Sequence, residues 1–161
     1  MAKKTVHHMD FETLVSVNKE VVELTNEPHE FTNADKQKMK ELLAEAESVA
    51  SDEGFEQGVI AKAVFLVFKI ASGQHFRGGN KRTAIVAGYV FLRKNAHSIG
   101  IQDKGLLSAV DKVGIAAESL DELQRVVEAL VSKAPAERRS WVTLVKETVA
   151  ANKEFLTKIG S

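Results

Sequence analysis

Gly73-Gln74-His75-Phe76-Arg77-Gly78-Gly79-Asn80-Lys81-Arg82-Thr83 separates two long apolar segments, and the architecture follows from what lies on either side of it. Before it, residues 55–71 are apolar almost all round, with Val59, Ile60, Ala63, Val64, Leu66, Val67 and Ile70 marking a central helix that ends at Ser72-Gly73. After it, Ala84, Ile85, Ala87, Gly88, Val90, Phe91 and Leu92 carry a second helix to about Lys94, with small residues that permit close approach of a neighbour. The expected unit is helix, anion loop, helix. Paired glycines let the loop adopt unusual backbone angles close to a ligand, and the second helix begins with free N–H donors and a positive dipole end. Lys81 and Arg82 add two cations at that same place.

Outward from this unit, apolar residues three and four apart recur, and sustained alternation is nearly absent. Phe11, Leu14, Val15, Val21 and Val22 mark a first helix. Met39, Leu42, Leu43, Ala46 and Val49 mark a second, for which Asn33 is the expected cap. Leu106, Leu107, Val110 and Val113 fit a shorter helix. Ser119 and Glu122 have the spacing of a capping box ahead of Leu123, Val126, Val127, Leu130 and Val131, with Pro135 as a stop. Trp141, Leu144, Val145, Val149, Phe155 and Leu156 predict one last helix closing at Gly160. The fold class expected is mainly α, a helical bundle in which residues 1–161 form one domain without internal repeats.

The chain has no cysteine, which excludes disulfides, thiolate metal sites and thiol catalysis. No apolar run reaches spanning length, so a soluble, cytoplasmic protein without a membrane partner is expected. The 22 basic and 22 acidic residues cancel, which argues against a nucleic-acid partner recruited by bulk charge. The distribution is uneven, however. From Ala71 to Gly100 there is no Asp or Glu, while Arg77, Lys81, Arg82, Arg93 and Lys94 all fall in that window. A local basic patch is the expectation.

As chemistry, Gly78 and Gly79 can turn their N–H groups into a concave anion nest, and Asn80 can fix the loop or cap the helix. Arg82 can grip phosphate oxygens with two prongs and Lys81 can act as a point charge, so a di- or triphosphate is a plausible ligand. The Walker spacing is absent.

With Phe76, Gly79, Asn80, Lys81 and Arg82 in this register, the segment resembles the Fic/Doc (Fido) family, whose loop reads His-x-Phe-x-Asp/Glu-Gly/Ala-Asn-Gly/Lys-Arg. Lysine before arginine is more similar to the Doc (death-on-curing) branch. The resemblance is strongest over residues 9–94, including Met9-Asp10-Phe11 to Leu24 as an opening helix. It implies a Fido-type bundle that uses ATP or another nucleotide with Mg2+ and transfers AMP, another nucleotide part or a phosphate to a protein hydroxyl. A protein target or an antitoxin-like partner is implied with it. The family's inhibitory pattern, Ser/Thr-x-x-x-Glu-Gly/Asn, does not occur in the chain.

Two positions depart from the family loop. Gln74 falls at the place of its catalytic histidine and Gly78 at that of its metal-binding acid. Glutamine has no titratable nitrogen, and glycine has no side-chain ligand atom for magnesium. No metal site is therefore expected. His75 is a candidate base, but a shift of one residue turns a helical side chain by about 100°. The expected phosphate-binding residues are Gly78, Gly79, Asn80, Lys81 and Arg82. The alternative is a catalytically inactive Fido domain that binds a nucleotide or a protein. Phe76 is expected as a core anchor of the loop, Tyr89 and Phe91 as packing residues, and His97 as a solvated one. His29 falls in a loop where the family places a target-aligning flap. His7-His8 are expected at a loose terminus.

Overall fold

Residues 4–159 are described by the computed structural model. The helical periodicities become α1 (Phe11–Glu23), α2 (Asn33–Ser48), α3 (Phe55–Gly73), α4 (Asn80–Lys94), α5 (Lys104–Asp111), α6 (Ser119–Leu130), α7 (Trp141–Ala151) and α8 (Lys153–Lys158). Two short strands, β1 (His97–Ser98) and β2 (Ser132–Lys133), pair antiparallel with His97 opposite Lys133. Segments of two residues are too short for alternation to announce them.

α3 and α4 form the centre and pack most extensively on each other, with α2 and α6 on α3 and with α1 and α7 on α4. Gly88 makes that pairing possible, because a Cβ there would stand 2.5 Å from Val67. Leu14, Met39, Leu66, Ile70, Phe91, Leu123, Leu144 and Leu156 are fully enclosed in one core. Each such side chain contributes about 1.5–3 kcal/mol relative to exposure. Tyr89 is partly buried against the same core, and Phe76 is inside it. No helix among the described residues is long and apolar enough to cross a membrane.

Three local expectations change. Thr32, not Asn33, caps α2: its hydroxyl accepts from the Asp35 N–H while the Asp35 carboxylate accepts from the Thr32 N–H, a reciprocal box that leaves Asn33 as the first helical residue. The Ser119–Glu122 box does not form. Ser119 is already helical, and Glu118 precedes it without a side-chain cap bond. The expected last helix is broken at Asn152, whose side chain donates to the Thr148 carbonyl at 2.8 Å and whose own carbonyl starts α8 by accepting from Leu156 N–H. Gly160 lies outside the described residues.

Two polar devices hold helix ends. Lys62 is buried on α3 and its ammonium donates to the carbonyls of Ala46, Glu47 and Val49, which ends α2 by satisfying acceptors that a helix terminus leaves open. After α6, Glu137 pairs with Arg93 and Arg139, pinning residues 134–140 to the end of α4, and the Arg139 hydrogen bonds hold its carboxyl at about 2. At the N-terminus, the backbone of His7 exchanges two hydrogen bonds with the Asn95 side chain, at 2.8 and 2.9 Å, so His7 is docked rather than loose.

Candidate functional site

α3 ends because Gln74 takes a left-handed conformation, φ 51°, as its C-cap. α4 begins because Gly79 does the same, φ 72°, as its N-cap without a side-chain cap bond. Between the two, the loop is tied by its own asparagine. Asn80 is 4 % exposed, and its Oδ1 accepts from the Phe76 N–H at 3.1 Å while its Nδ2 donates to the Phe76 carbonyl at 2.8 Å. Asn80 is thus the first helical residue and fixes the loop. Gly79 is required sterically as well as for its φ, since a Cβ there would lie 2.9 Å from Val22.

The Phe76 ring is inserted among aromatic neighbours, stacked on His29 at 6.3 Å and edge-on to Phe31 at 5.7 Å. This joins the glycine loop to the segment between α1 and α2. Arg77 N–H donates to the Glu30 carbonyl at 3.0 Å, a second tie between the same two loops. Beneath them the buried Asn18 of α1 donates to the Gly78 carbonyl at 2.9 Å and to Thr83 at 3.1 Å. With its Nδ2 so used, its Oδ1 stands 2.8 Å from His29 Nδ1 and accepts from it.

Four of the five cations of the basic patch, all but Lys94, are paired with carboxylates by tertiary contacts. Arg77 pairs with Glu30 at 2.8 Å, Lys81 with Asp111 of α5 at 3.3 Å, and Arg82 with Glu27 at 2.6 Å. Further along α4, Arg93 meets Glu137, and Lys94 donates to the carbonyls of Glu137 and Arg139. These pairs are unequal. Arg77 and Glu30 are more than half exposed and hold each other weakly, a pair worth about 0–1 kcal/mol. The Arg82 side chain is only 6 % exposed, and besides Glu27 it donates to the carbonyls of Leu156 at 2.8 Å and Ile159 at 2.5 Å. Arg82 therefore ties the glycine loop to α8.

Glu27 marks the centre of the site. One oxygen accepts from Arg82 and from the Thr25 hydroxyl; the other lies against Gly78 so closely that a Cβ on Gly78 would collide with it. The Thr25 hydrogen bond, followed by Arg82, keeps this carboxyl below the usual carboxylate range. A carboxylate thus stands between the Gly78 backbone and Arg82. Nothing in local spacing singled out Glu27, Glu30, Asp111 or Asn18. The one available signal was the acid-free window from 71 to 100, which meant that any counter-charge had to come from elsewhere in the chain.

The two candidate catalytic positions differ in burial. Gln74 is exposed and lines an open cleft of about 510 Å3 with Glu30, Phe31, Asp35 and Arg77. His75 is turned back over the end of α3, where a Cβ on Gly73 would strike its ring, and its Nδ1 is buried without a partner. Burial lowers the pKa of His75, with Lys38 adding to the shift and Asp35 opposing it. Burial and then Lys19 lower that of His29, with Glu23 opposing. Among the described residues no group of three or more His, Asp and Glu could hold a metal.

Both depressed histidines make the fold sensitive to mild acid. An imidazole whose folded pKa is lowered costs nothing well above the unfolded value of 6.5, and stability is lost as pH falls from there towards the folded pKa. The denaturation midpoint is expected to drop between about pH 7 and pH 5, before the lowered carboxyls of Glu27, Asp35 and Glu56 begin to protonate below 4.5. Urea titrations of wild type and a His29→Gln, His75→Gln double variant check this. An equal pH slope in both would remove the histidines as the cause.

The architecture defined so far is a mainly helical protein whose central hairpin presents a glycine-rich, arginine-bearing loop at a helix start. The chain belongs to the Fic/DOC family, whose model matches residues 8–92. No curated protein and no solved structure matches it. The matched region contains α1, the tied loops, α3 and most of α4. His97, expected in solvent, is buried: its Nδ1 lies 2.7 Å from the Asn95 carbonyl and its Nε2 2.7 Å from Glu56.

Proposed function

We propose that the loop 74–83 binds the phosphate of a nucleotide, with Gly78, Gly79, Asn80, Lys81 and Arg82 as the binding residues, and that the domain acts as a binding module rather than as a transferase. One observation carries the reading: the carboxylate of Glu27 already stands as an anion between the Gly78 backbone and the Arg82 guanidinium. A phosphate entering there exchanges one anion for another. The left-handed turn at Gly79, the helix start and the buried cation stay in place while the Glu27 side chain swings out, its loop remaining tied through His29, Glu30 and Phe31.

Family membership associates the protein with ATP or a related nucleotide and with protein partners in general terms. The pairing of Lys81 with Arg82 favours the Doc-like branch, with a protein target or an antitoxin-like partner. Magnesium fits poorly, since Gly78 offers no side-chain ligand, its carbonyl accepts from Asn18, and the Glu27 carboxylate is committed to Arg82 and Thr25. Catalysis is disfavoured for a similar reason. Gln74 lines the cleft without a titratable nitrogen, and His75 is buried, its ring packed against Gly73.

Calorimetry with ATP, ADP and AMP tests the binding reading. Wild type is expected to bind weakly, and Glu27→Gln to bind about tenfold more tightly, the worth of ~1.4 kcal/mol from removing the competing charge. No binding to either protein, or equal binding to both, overturns it. Transfer from labelled ATP to cell-extract protein, abolished by His75→Ala, would instead restore the transferase reading.

A further inference from the structure

At the opposite end of α4 from the glycine loop, the structure contains a cavity of about 390 Å3 with no counterpart in the matched loop. Its size falls in the range of small-molecule sites, about 300–1,000 Å3. One wall is the N-terminal arm, held by the paired hydrogen bonds between His7 and Asn95. The opposite wall is the start of α3, where Phe55 leaves 37 % of its surface exposed. The floor is alanine: Ala96, Ala134 and Ala136, with Ala134 N–H donating to the Ala96 carbonyl at 3.0 Å. Ala96 is held at φ 62°, a left-handed conformation that a residue with a Cβ rarely takes and that is usually left to glycine at a helix end.

The charge around this cavity is unbalanced. Lys4, Lys94 and Lys133 line it, against the single carboxylate of Glu56. Glu56 is already used twice, by Lys4 at 3.1 Å and by the buried His97 at 2.7 Å. Lys94 donates to two backbone carbonyls and lies over the Trp141 ring, without a carboxylate partner among the described residues. Lys133 makes no ion pair or side-chain hydrogen bond among them. One ammonium group, that of Lys133, is thus left for an incoming anion, beside an apolar floor and the partly exposed Phe55 ring, over which the Lys4 ammonium stands 5.7 Å from the centroid.

We infer that this cavity is a second ligand site, for a small organic anion carrying a flat ring: the anionic group meets Lys133, and the ring lies against the exposed part of Phe55 over the alanine floor. The site is independent of the glycine loop, because α4 of 15 residues separates the two by roughly 22 Å.

The test uses amide chemical shifts of the full chain titrated with AMP, adenosine and inorganic phosphate. AMP combines ring and charge; the other two carry one each. AMP is expected to shift the amides of Ala96, Ala134 and Ala136, with adenosine and phosphate each binding more weakly, and Lys133→Glu to weaken AMP at least about tenfold, the order for one charge-assisted contact. Gly78 and Gly79 amides report the loop separately, so failure at one site is distinguishable from failure at the other. Absence of AMP shifts at the alanines overturns the inference. So does phosphate binding there as well as AMP, or indifference to Lys133→Glu.

Discussion

Arg82→Ala is expected to lose about 3–5 kcal/mol of stability, the cost of breaking a buried, hydrogen-bonded ion pair. For a chain of this size that lowers Tm by roughly 6 to 20 °C. The loss has two parts. Glu27 keeps its partial burial without its cation, and the carbonyls of Leu156 and Ile159 lose the donor that docks α8. Hydrogen exchange should therefore rise in 153–159 as well as around the loop, because Arg82 joins segments far apart in sequence. Arg82→Lys should recover only part, since an ammonium cannot reproduce the guanidinium's fan of donors towards Glu27 and two carbonyls. A loss under about 1 kcal/mol, or exchange confined to the loop, would contradict the tie to α8. The variant is consequently a poor control for nucleotide binding, and Lys81→Ala serves better, its partner Asp111 being half exposed.

Asn80→Leu is expected to cost about 2–6 kcal/mol, since two backbone groups of Phe76 lose their partners in a buried setting at about 1–3 kcal/mol each. The leucine is close in size, so the loss belongs to hydrogen bonding rather than to a cavity. The loop would then lose the clamp that seats Phe76 against His29 and Phe31. Nucleotide binding at Gly78–Gly79 should fall with it, since the nest depends on a fixed backbone. Asn80→Asp keeps the acceptor for the Phe76 N–H and loses the donor to its carbonyl, so it should fall between wild type and Asn80→Leu. Denaturant unfolding of the three proteins gives the order, and an Asn80→Leu variant as stable as wild type would mean that the loop is held by packing alone.

Much of the fold was legible because its signals are local. The apolar spacing in 55–71 and 84–94 fixed the central hairpin, and the structure places α3 at Phe55–Gly73 and α4 at Asn80–Lys94. Helix ends were less legible where several residues compete for one role: Thr32 took the cap expected of Asn33 because Asp35 stands three residues after it and completes the box. The break at Asn152 was hidden because the apolar pattern continues through it, from Val149 to Leu156. His97 looked like a solvated residue after two cations, and only the approach of Glu56 from the start of α3 gives its buried ring a partner.

By itself the sequence determined the helical class, the glycine loop at a helix start and the concentration of cations between 71 and 100. Periodicity, turn residues and charge are properties of neighbouring positions, and the chain carries them before it folds. Tertiary structure decided what those cations do. Glu27 and Glu30 arrive from the loop after α1, and Asp111 from α5, so a patch that is purely basic along the chain is paired in space. It also separated Arg82 from the other two cations. Burial removes competing water and makes its ties to Glu27 and α8 strong, whereas Arg77 at the surface keeps a weak and exchangeable partner.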